Sequence, residues 1–147
     1  MVPAQRLHQN GQMEAQTMID EFLLGETYAV AGASTDRGKY GNKVFRCYQQ
    51  AGKAVIPLNP RADEVEGVEC IRDLSELPVE VYGLSIITPP RVTEMLVEEA
   101  ARAGVKRLWV QPGAEFEGIS ERCEALGISC IFGGPCLLVV LGFREGD

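Results

Sequence analysis

Short apolar runs recur along the chain, and each is too short to form a buried helix. Runs of this length with few polar residues are typical of strands in a parallel sheet that is covered on both faces. Five such runs are found, at Tyr28–Gly32, Ala54–Leu58, Leu84–Ile87, Leu108–Val110 and Ile128–Ile131.

Between these runs, apolar residues recur at helical spacing. Three of the helical patterns are followed by glycines, Gly52, Gly104 and Gly127, which can adopt the left-handed conformation that ends a helix. We therefore predict helices close to residues 15–23, 40–51, 92–103 and 117–126.

The alternation of strands and helices predicts an α/β fold. With right-handed crossovers it becomes a Rossmann-like, doubly wound, mainly parallel five-stranded sheet in a single domain. We expect residues 1–26 to form an N-terminal arm and helix, and residues 27–147 to form the domain itself. Residues 63–78 interrupt the alternation, where we predict a short edge strand at Gly67–Ile71 and a short helix at Asp73–Glu76.

Composition and charge argue against several classes of function and location. The chain has 147 residues, and its net charge of −7 argues against nucleic acid as a partner. Apolar runs are too short to span a membrane, and the first residues lack the pattern of a secretory signal. Five cysteines, an odd number without a Cys-x-x-Cys pair, predict reduced thiols and a cytoplasmic location.

Candidate binding residues follow the strands, because ligands of such sheets bind beyond the carboxyl ends of the strands. The loop after the first strand is the natural phosphate site, since glycine admits the ligand and the next helix presents its amides to it. This loop and the helix after it supply six candidates, Gly32, Ala33, Ser34, Arg37, Lys39 and Lys43.

The corner after the second strand, Asn59, Pro60 and Arg61, bears on the identity of the ligand. A dinucleotide fingerprint would need glycine where Ser34 stands, and a NAD site would need an acid near this corner. An arginine is better suited to a ribose phosphate. The corner therefore favours NADP or coenzyme A (CoA) over NAD.

The remaining candidates follow the third and fourth strands. Thr88, Pro89 and Pro90 predict a rigid turn that could form a wall of the crevice and also start a helix. Gln111 and Gly113 follow Trp109, which we assign to the core, and they could line the same crevice.

Residues for catalysis are not apparent. The single histidine is His8, and there is no phosphate-binding lysine loop, nucleophile elbow or metal-ligand cluster. We therefore predict neither catalytic nor metal-binding residues. Cys136 follows a Gly-Gly-Pro turn near the crevice, and one hypothesis joins a cysteine of this chain to CoA as a mixed disulfide.

Several motifs occur together in a familiar order. They are the segments Ala29–Ser34, Lys39–Gly41, Pro57–Pro60, Thr88–Pro90 and Trp109–Ala114, followed by Cys136. In these segments the chain resembles the small stand-alone CoA-binding proteins, which are similar to the N-terminal domain of the succinyl-CoA synthetase alpha subunit. The resemblance covers about residues 27–141.

This resemblance implies CoA, or an acyl-CoA, bound against the first loop, the Asn59 corner and the Thr88 turn. The synthetase's phosphohistidine belongs to a second domain to which nothing here corresponds. We therefore expect a non-catalytic carrier, sensor or subunit of a CoA-handling assembly, with a protein partner or a homo-oligomer left open. The alternative is an NADP-linked oxidoreductase.

Overall fold

A five-stranded parallel sheet forms the centre of the structure, a computed structural model that describes residues 15–134 and 136–145. The five strands lie in the order β2-β1-β5-β6-β7, and β3 and β4 pair separately as an antiparallel hairpin. In chain order the strands are β1 (Thr27–Ala31), β2 (Ala54–Leu58), β3 (Glu64–Val65), β4 (Val68–Glu69), β5 (Gly83–Ile86), β6 (Arg107–Val110) and β7 (Ser129–Ile131).

Helices cover both faces of this sheet. They are α1 (residues 15–22), α2 (Tyr40–Gln50), α3 (Pro90–Arg102), α4 (Ile119–Leu126) and α5 (Leu137–Val140). Alternate strand residues separate the core into two layers, with Val30 facing α1, α2 and α5, and Ala31 facing α3 and α4. None of the helices within the described ranges is long and apolar enough to cross a bilayer.

The predicted α/β fold is confirmed, and Trp109 is fully buried as expected, edge-on to Phe22. Helix α4 starts two residues later than predicted, because Gly118 adopts a left-handed conformation at its N-terminus. The polar segment 1–12, and His8 with it, lies outside the described residues.

The prediction for residues 63–78 is partly wrong. Where one edge strand was expected, β3 and β4 fold back on each other, and Ile71 forms an isolated parallel bridge to Leu58. The short helix is present as a 3-10 turn, Leu74–Glu76, and the Asp73 carboxylate accepts a hydrogen bond from the Ser75 amide at 2.8 Å.

The strand order places a topological switch between β1 and β5. Ala31 pairs with Leu58 of β2 on one side and with Ile86 of β5 on the other. The chain leaves β1 through α2 on one face, and leaves β5 through α3 on the opposite face. Both helices therefore begin beside the same crevice, where open sheets of this type bind their ligands.

Candidate functional site

Two close backbone approaches shape the loop after β1. Gly32 has a φ of +93°, and a Cβ there would lie 2.0 Å from the carbonyl oxygen of Ile87. A Cβ at Gly41, in the first turn of α2, would lie 1.9 Å from the carbonyl oxygen of Gly32. Since real Cβ atoms do not approach oxygen so closely, both positions require glycine, and α2 begins against the loop itself.

The N-termini of α2 and α3 point their amides towards this crevice. No described residue accepts a hydrogen bond from the amides of Tyr40, Gly41 or Asn42. Pro90 occupies the first position of α3, where a backbone N–H group would have no hydrogen-bond acceptor within the helix. Because neither first turn contains an acidic residue, both ends keep the partial positive charge that attracts anions.

Side chains fix the shape of the β1 loop. The Ser34 hydroxyl accepts a hydrogen bond from the Asp36 amide at 3.0 Å, and the Asp36 carboxylate accepts one from the Gly38 amide at 2.9 Å. The side-chain Nδ2 of Asn42 donates to the Ser34 carbonyl at 2.9 Å. The Ser34 oxygen is thus used by the loop, while its hydrogen can still be donated to a ligand.

Asn59 joins the corner after β2 to the β1 loop. Its Nδ2 donates to the Ala33 carbonyl at 2.8 Å, and its Oδ1 accepts from the amides of Arg61 and Ala62 at 2.8 and 2.9 Å. This geometry gives Asn59 a scaffolding role, and its contact with a ligand stays a prediction. Pro60 is exposed and its carbonyl accepts a hydrogen bond from Arg72, while the Arg61 side chain extends into solvent beside the loop.

Two of the predicted cations are held by carboxylates. The Arg37 guanidinium lies 3.8 Å from Glu66, in the turn of the β3–β4 hairpin, and the Lys43 ammonium lies 3.2 Å from Glu145. Lys43 and, more weakly, a neighbouring arginine lower the pKa of Glu145 below its usual value. Lys39 is the exposed residue directly before α2.

The neighbouring arginine, Arg46, was not predicted from the sequence, although it lies four residues after Asn42 on the same face of α2. It is only 3% exposed and donates to the Asn42 side-chain oxygen at 2.6 Å and to the Arg37 carbonyl at 3.1 Å. Its guanidinium also stacks over the Phe143 ring and lies 3.5 Å from Glu145. Arg46 therefore stabilises the loop after β1 through its hydrogen bonds to Asn42 and to the Arg37 carbonyl.

The turn after β5 lies against the β1 loop. The hydroxyls of Thr88 and Thr93 lie 2.7 Å apart, and the Thr93 hydroxyl also lies 3.3 Å from the Pro89 carbonyl. The Thr88 methyl group would lie 3.3 Å from a Cβ on Gly32. The turn thus starts α3 at Pro90, as expected, and adjoins the β1 loop, while its contact with a ligand stays a prediction.

Gln111 and Gly113 lie beyond β6, further along the crevice. Gln111 is 1% exposed, and its Oε1 accepts a hydrogen bond from the Leu137 amide at 3.1 Å. Its Nε2 has no acceptor among the described residues. Glu115 ties the adjacent loops together, since it accepts from the amides of Gly113 at 2.8 Å and Gly133 at 3.4 Å.

A contact between Tyr40 and Cys136 connects the far end of the crevice to α2. The Tyr40 hydroxyl lies within hydrogen-bonding distance of the Cys136 sulfur. Burial, together with this contact, raises the pKa of Tyr40 far above its usual value, so the phenol stays protonated. Cys47 lies behind this pair, where burial raises the pKa of its thiol to about 11.

The structure thus brings part of the predicted site together. The residues around the switch point are Gly32, Ala33, Ser34, Asn59, Thr88, Pro89 and Pro90. The side chains of Arg37 and Lys43 instead form ion pairs with Glu66 and Glu145. Gln111 is buried beside the start of α5. Within residues 15–134 and 136–145, no cluster of three or more His, Cys, Asp or Glu could hold a metal ion.

This geometry fits an anionic nucleotide. Backbone amides without an acceptor among the described residues lie where two helices begin, with hydroxyl groups and an exposed arginine nearby. The first turns of both helices lack acids. Phosphate groups are the ligands that such helix ends bind in other open sheets.

Comparison with known proteins identifies the family. The profile of the CoA binding domain matches residues 26–142. The alpha subunit of acetate–CoA ligase [ADP-forming] II from Pyrococcus furiosus is 36% identical over 90 residues, which cover 60% of this chain and 20% of that subunit. The chain therefore spans about a fifth of the length of that ligase subunit.

Solved structures agree with this match. A conserved hypothetical protein from Pyrococcus furiosus has 40% identity and a TM-score of 0.74, over 78% of this chain and 98% of that one. The dinucleotide-forming acetyl-coenzyme A synthetase 1 of Ca. Korarchaeum cryptofilum has 28% identity and a TM-score of 0.64, over 71% of this chain and 25% of that one. The chain belongs to the CoA binding domain family.

Proposed function

We propose that the protein binds CoA or an acyl-CoA at the carboxyl edge of its sheet. The observation that carries this proposal is that the backbone amides of Tyr40, Gly41 and Asn42 have no acceptor among the described residues, beside the tight backbone contact at Gly32. These amides would hold the pyrophosphate of the ligand, with the Ser34 hydroxyl beside them.

The ribose phosphate of CoA would lie at the corner after β2. Arg61 is exposed there, next to the loop that Asn59 fixes. A guanidinium recognises phosphate strongly, because its donors form a planar fork. The Thr88 turn would close the other side against the adenosine.

We also propose that the domain acts without catalysing a reaction, as a carrier, a sensor or a subunit of a CoA-handling assembly. The related ligase subunit is about five times as long as the matched region. No residue around the crevice, within the part of the chain described, forms a nucleophile–base pair of the kind that acyl or phosphoryl transfer needs. A protein partner would then supply the chemistry.

Binding can be tested by thermal unfolding in the presence of CoA, dephospho-CoA, NAD and NADP at equal concentrations. A ligand at 100 times its dissociation constant stabilises the folded state by about 2.7 kcal/mol. For a domain of this size, that corresponds to a rise in Tm of roughly 5–10 °C. We expect CoA to produce this rise and NAD to produce none.

The same measurement separates the two functional classes. The Rossmann-like sheet and Arg61 are shared with NADP-dependent oxidoreductases, which are the second candidate. Stabilisation by NADP but not by CoA would overturn the CoA proposal in favour of that class. Calorimetric titration with CoA provides the dissociation constant and the stoichiometry.

A further inference from the structure

Four groups converge where β7 gives way to α5, at the opposite end of the crevice from the Asn59 corner. The Cys136 sulfur contacts the Tyr40 hydroxyl, and the Cys47 sulfur lies 4.0 Å from the Leu137 carbonyl. Beneath them, Gln111 Oε1 accepts from the Leu137 amide, while its buried Nε2 lacks an acceptor among the described residues. A buried donor without a partner is costly, and indicates that an acceptor is supplied from elsewhere.

The glycines before Cys136 have open surroundings. Gly133 and Gly134 both have positive φ angles, and a Cβ at either position would meet no atom within 4 Å. Gly113, across the gap, is equally open. A side chain added at any of these three glycines would therefore meet no neighbouring atom, and Cys136 lies two residues after Gly134.

Cys136 differs from the other cysteines in its surroundings. Cys47, Cys123 and Cys130 are buried, whereas Cys136 and Cys70 are half-buried. Cys70 lies just after β4, next to Ile71, which pairs with Leu58 at the β2 edge of the sheet. Cys136 is thus the half-buried thiol at the start of α5, close to the carboxyl end of β7.

The dimensions of the crevice suit a long ligand. β1 and β7 are three strand spacings apart, about 14 Å at the usual separation of neighbouring strands. CoA has its phosphates and its thiol at opposite ends of an extended pantetheine arm. Because the Cys136 sulfur contacts the side chain of Tyr40, the first residue of α2, the pantetheine arm of a CoA whose phosphates lie at α2 would be within reach of Cys136.

We propose that Cys136 is a thiol–disulfide exchange site for the disulfide form of CoA. The Cys136 thiolate attacks one sulfur of CoA disulfide, the bond between the two CoA sulfurs breaks, and a Cys136–CoA mixed disulfide forms. The second CoA leaves as a thiolate and takes up the proton that Cys136 released. The exchange needs no further oxidant, because CoA disulfide is itself the oxidised reactant.

Nearby groups favour this step. The Tyr40 hydroxyl lies within hydrogen-bonding distance of the sulfur, where it can donate to a thiolate, and Gln111 Nε2, buried beside Leu137, lacks an acceptor among the described residues. The inference rests on the proposed CoA site, since the phosphates must first anchor the reagent.

The test is intact-protein mass spectrometry after incubation with CoA disulfide. Pantethine, which has the same disulfide but lacks the nucleotide, is the matched reagent. Cys136→Ser removes the proposed site, and Cys70→Ser is the matched control at the other half-buried thiol. Calorimetry of reduced CoA with Cys136→Ser measures binding independently of exchange.

We expect one CoA adduct on the wild type and on Cys70→Ser, and none on Cys136→Ser. At equal concentrations, CoA disulfide should react on the order of tenfold faster than pantethine, because binding holds its sulfur at the thiol. If Cys136→Ser binds CoA but the wild type forms no adduct, or forms it at Cys70, the exchange site is refuted and the binding function stands. If CoA does not bind and both reagents react equally, both proposals fail.

Discussion

Replacing Gly32 by alanine tests the backbone contact that shapes the proposed site. The φ of +93° forces an alanine into a left-handed conformation, which costs about 1–2 kcal/mol. Its Cβ would also lie 2.0 Å from the Ile87 carbonyl oxygen, a backbone atom that cannot rotate away. Moving β1 or β5 apart to relieve this clash adds about 1–3 kcal/mol. Gly32→Ala should therefore lower the free energy of unfolding by about 2–5 kcal/mol.

Gly113→Ala is a matched control for this variant. Its φ is +92°, but a Cβ there would meet nothing within 4 Å. Gly113→Ala should therefore lower the free energy of unfolding only by the cost of the left-handed conformation, about 1–2 kcal/mol. The difference between the two variants isolates the contact with Ile87.

Urea unfolding, followed by the fluorescence of Trp109, measures both variants. Trp109 is the single tryptophan and is fully buried, so its emission reports loss of the core. Equal losses of stability in the two variants, within about 0.5 kcal/mol, would refute the close approach of Gly32 to Ile87. The comparison requires equal denaturant slopes, since a changed slope indicates departure from two-state unfolding.

Three further predictions concern the ligand and the helix that presents its amides. Arg61→Ala should weaken CoA binding by roughly tenfold in calorimetry and leave dephospho-CoA little changed; equal losses would argue against a phosphate contact at Arg61. Glu145→Gln should release Lys43 and raise CoA affinity a few-fold at low salt, a gain that should fade at high ionic strength; a salt-independent gain would exclude this electrostatic cause. Ser85→Ala should cost about 1–3 kcal/mol, because the buried Tyr48 hydroxyl, 2.6 Å from Ser85, loses its partner. Adding Tyr48→Phe should recover part of that loss, and simple additivity in the double-mutant cycle would contradict the pairing.

The fold could be predicted from the sequence because the strand signal is local. Continuous apolar runs such as Tyr28–Gly32 require cover on both faces, and helical patterns follow them at regular intervals. The position of the β1 loop, the Asn59 corner and the Thr88 turn at one edge follows from the parallel arrangement. The strands and helices thus follow from neighbouring residues, and the position of the loops follows from the few topologies that such a sheet can adopt.

The partners of the predicted cations could not be found in the same way. Lys43 and Arg46 meet Glu145, which lies about a hundred residues later in the chain. Arg37 meets Glu66 only because the unpredicted hairpin folds back towards α2. Such pairings depend on tertiary packing, which a pattern of hydrophobic and polar residues does not encode.

The contacts of Cys136 and Gln111, at the other end of the crevice, could not be predicted from the sequence either. The contact between Tyr40 and Cys136 joins residues 96 positions apart. Gln111 follows a strand and looks from the sequence like a crevice residue, yet α5 encloses it. The sequence places both near the sheet edge, but only the packing of α5 on α2 brings them together.

The carboxylates around α2 change how phosphate recognition should be understood. Because Arg37 and Lys43 are already held by Glu66 and Glu145, a phosphate that recruits either cation must compete with an acid of the chain itself. The amides of α2 have no such competitor among the described residues, and their direction is fixed by the helix. Fixed dipoles need no rearrangement when the ligand arrives, whereas the two side chains would have to break existing pairs. The backbone at the start of α2 should therefore contribute most of the affinity for the pyrophosphate, and the charged side chains should adjust its dependence on salt.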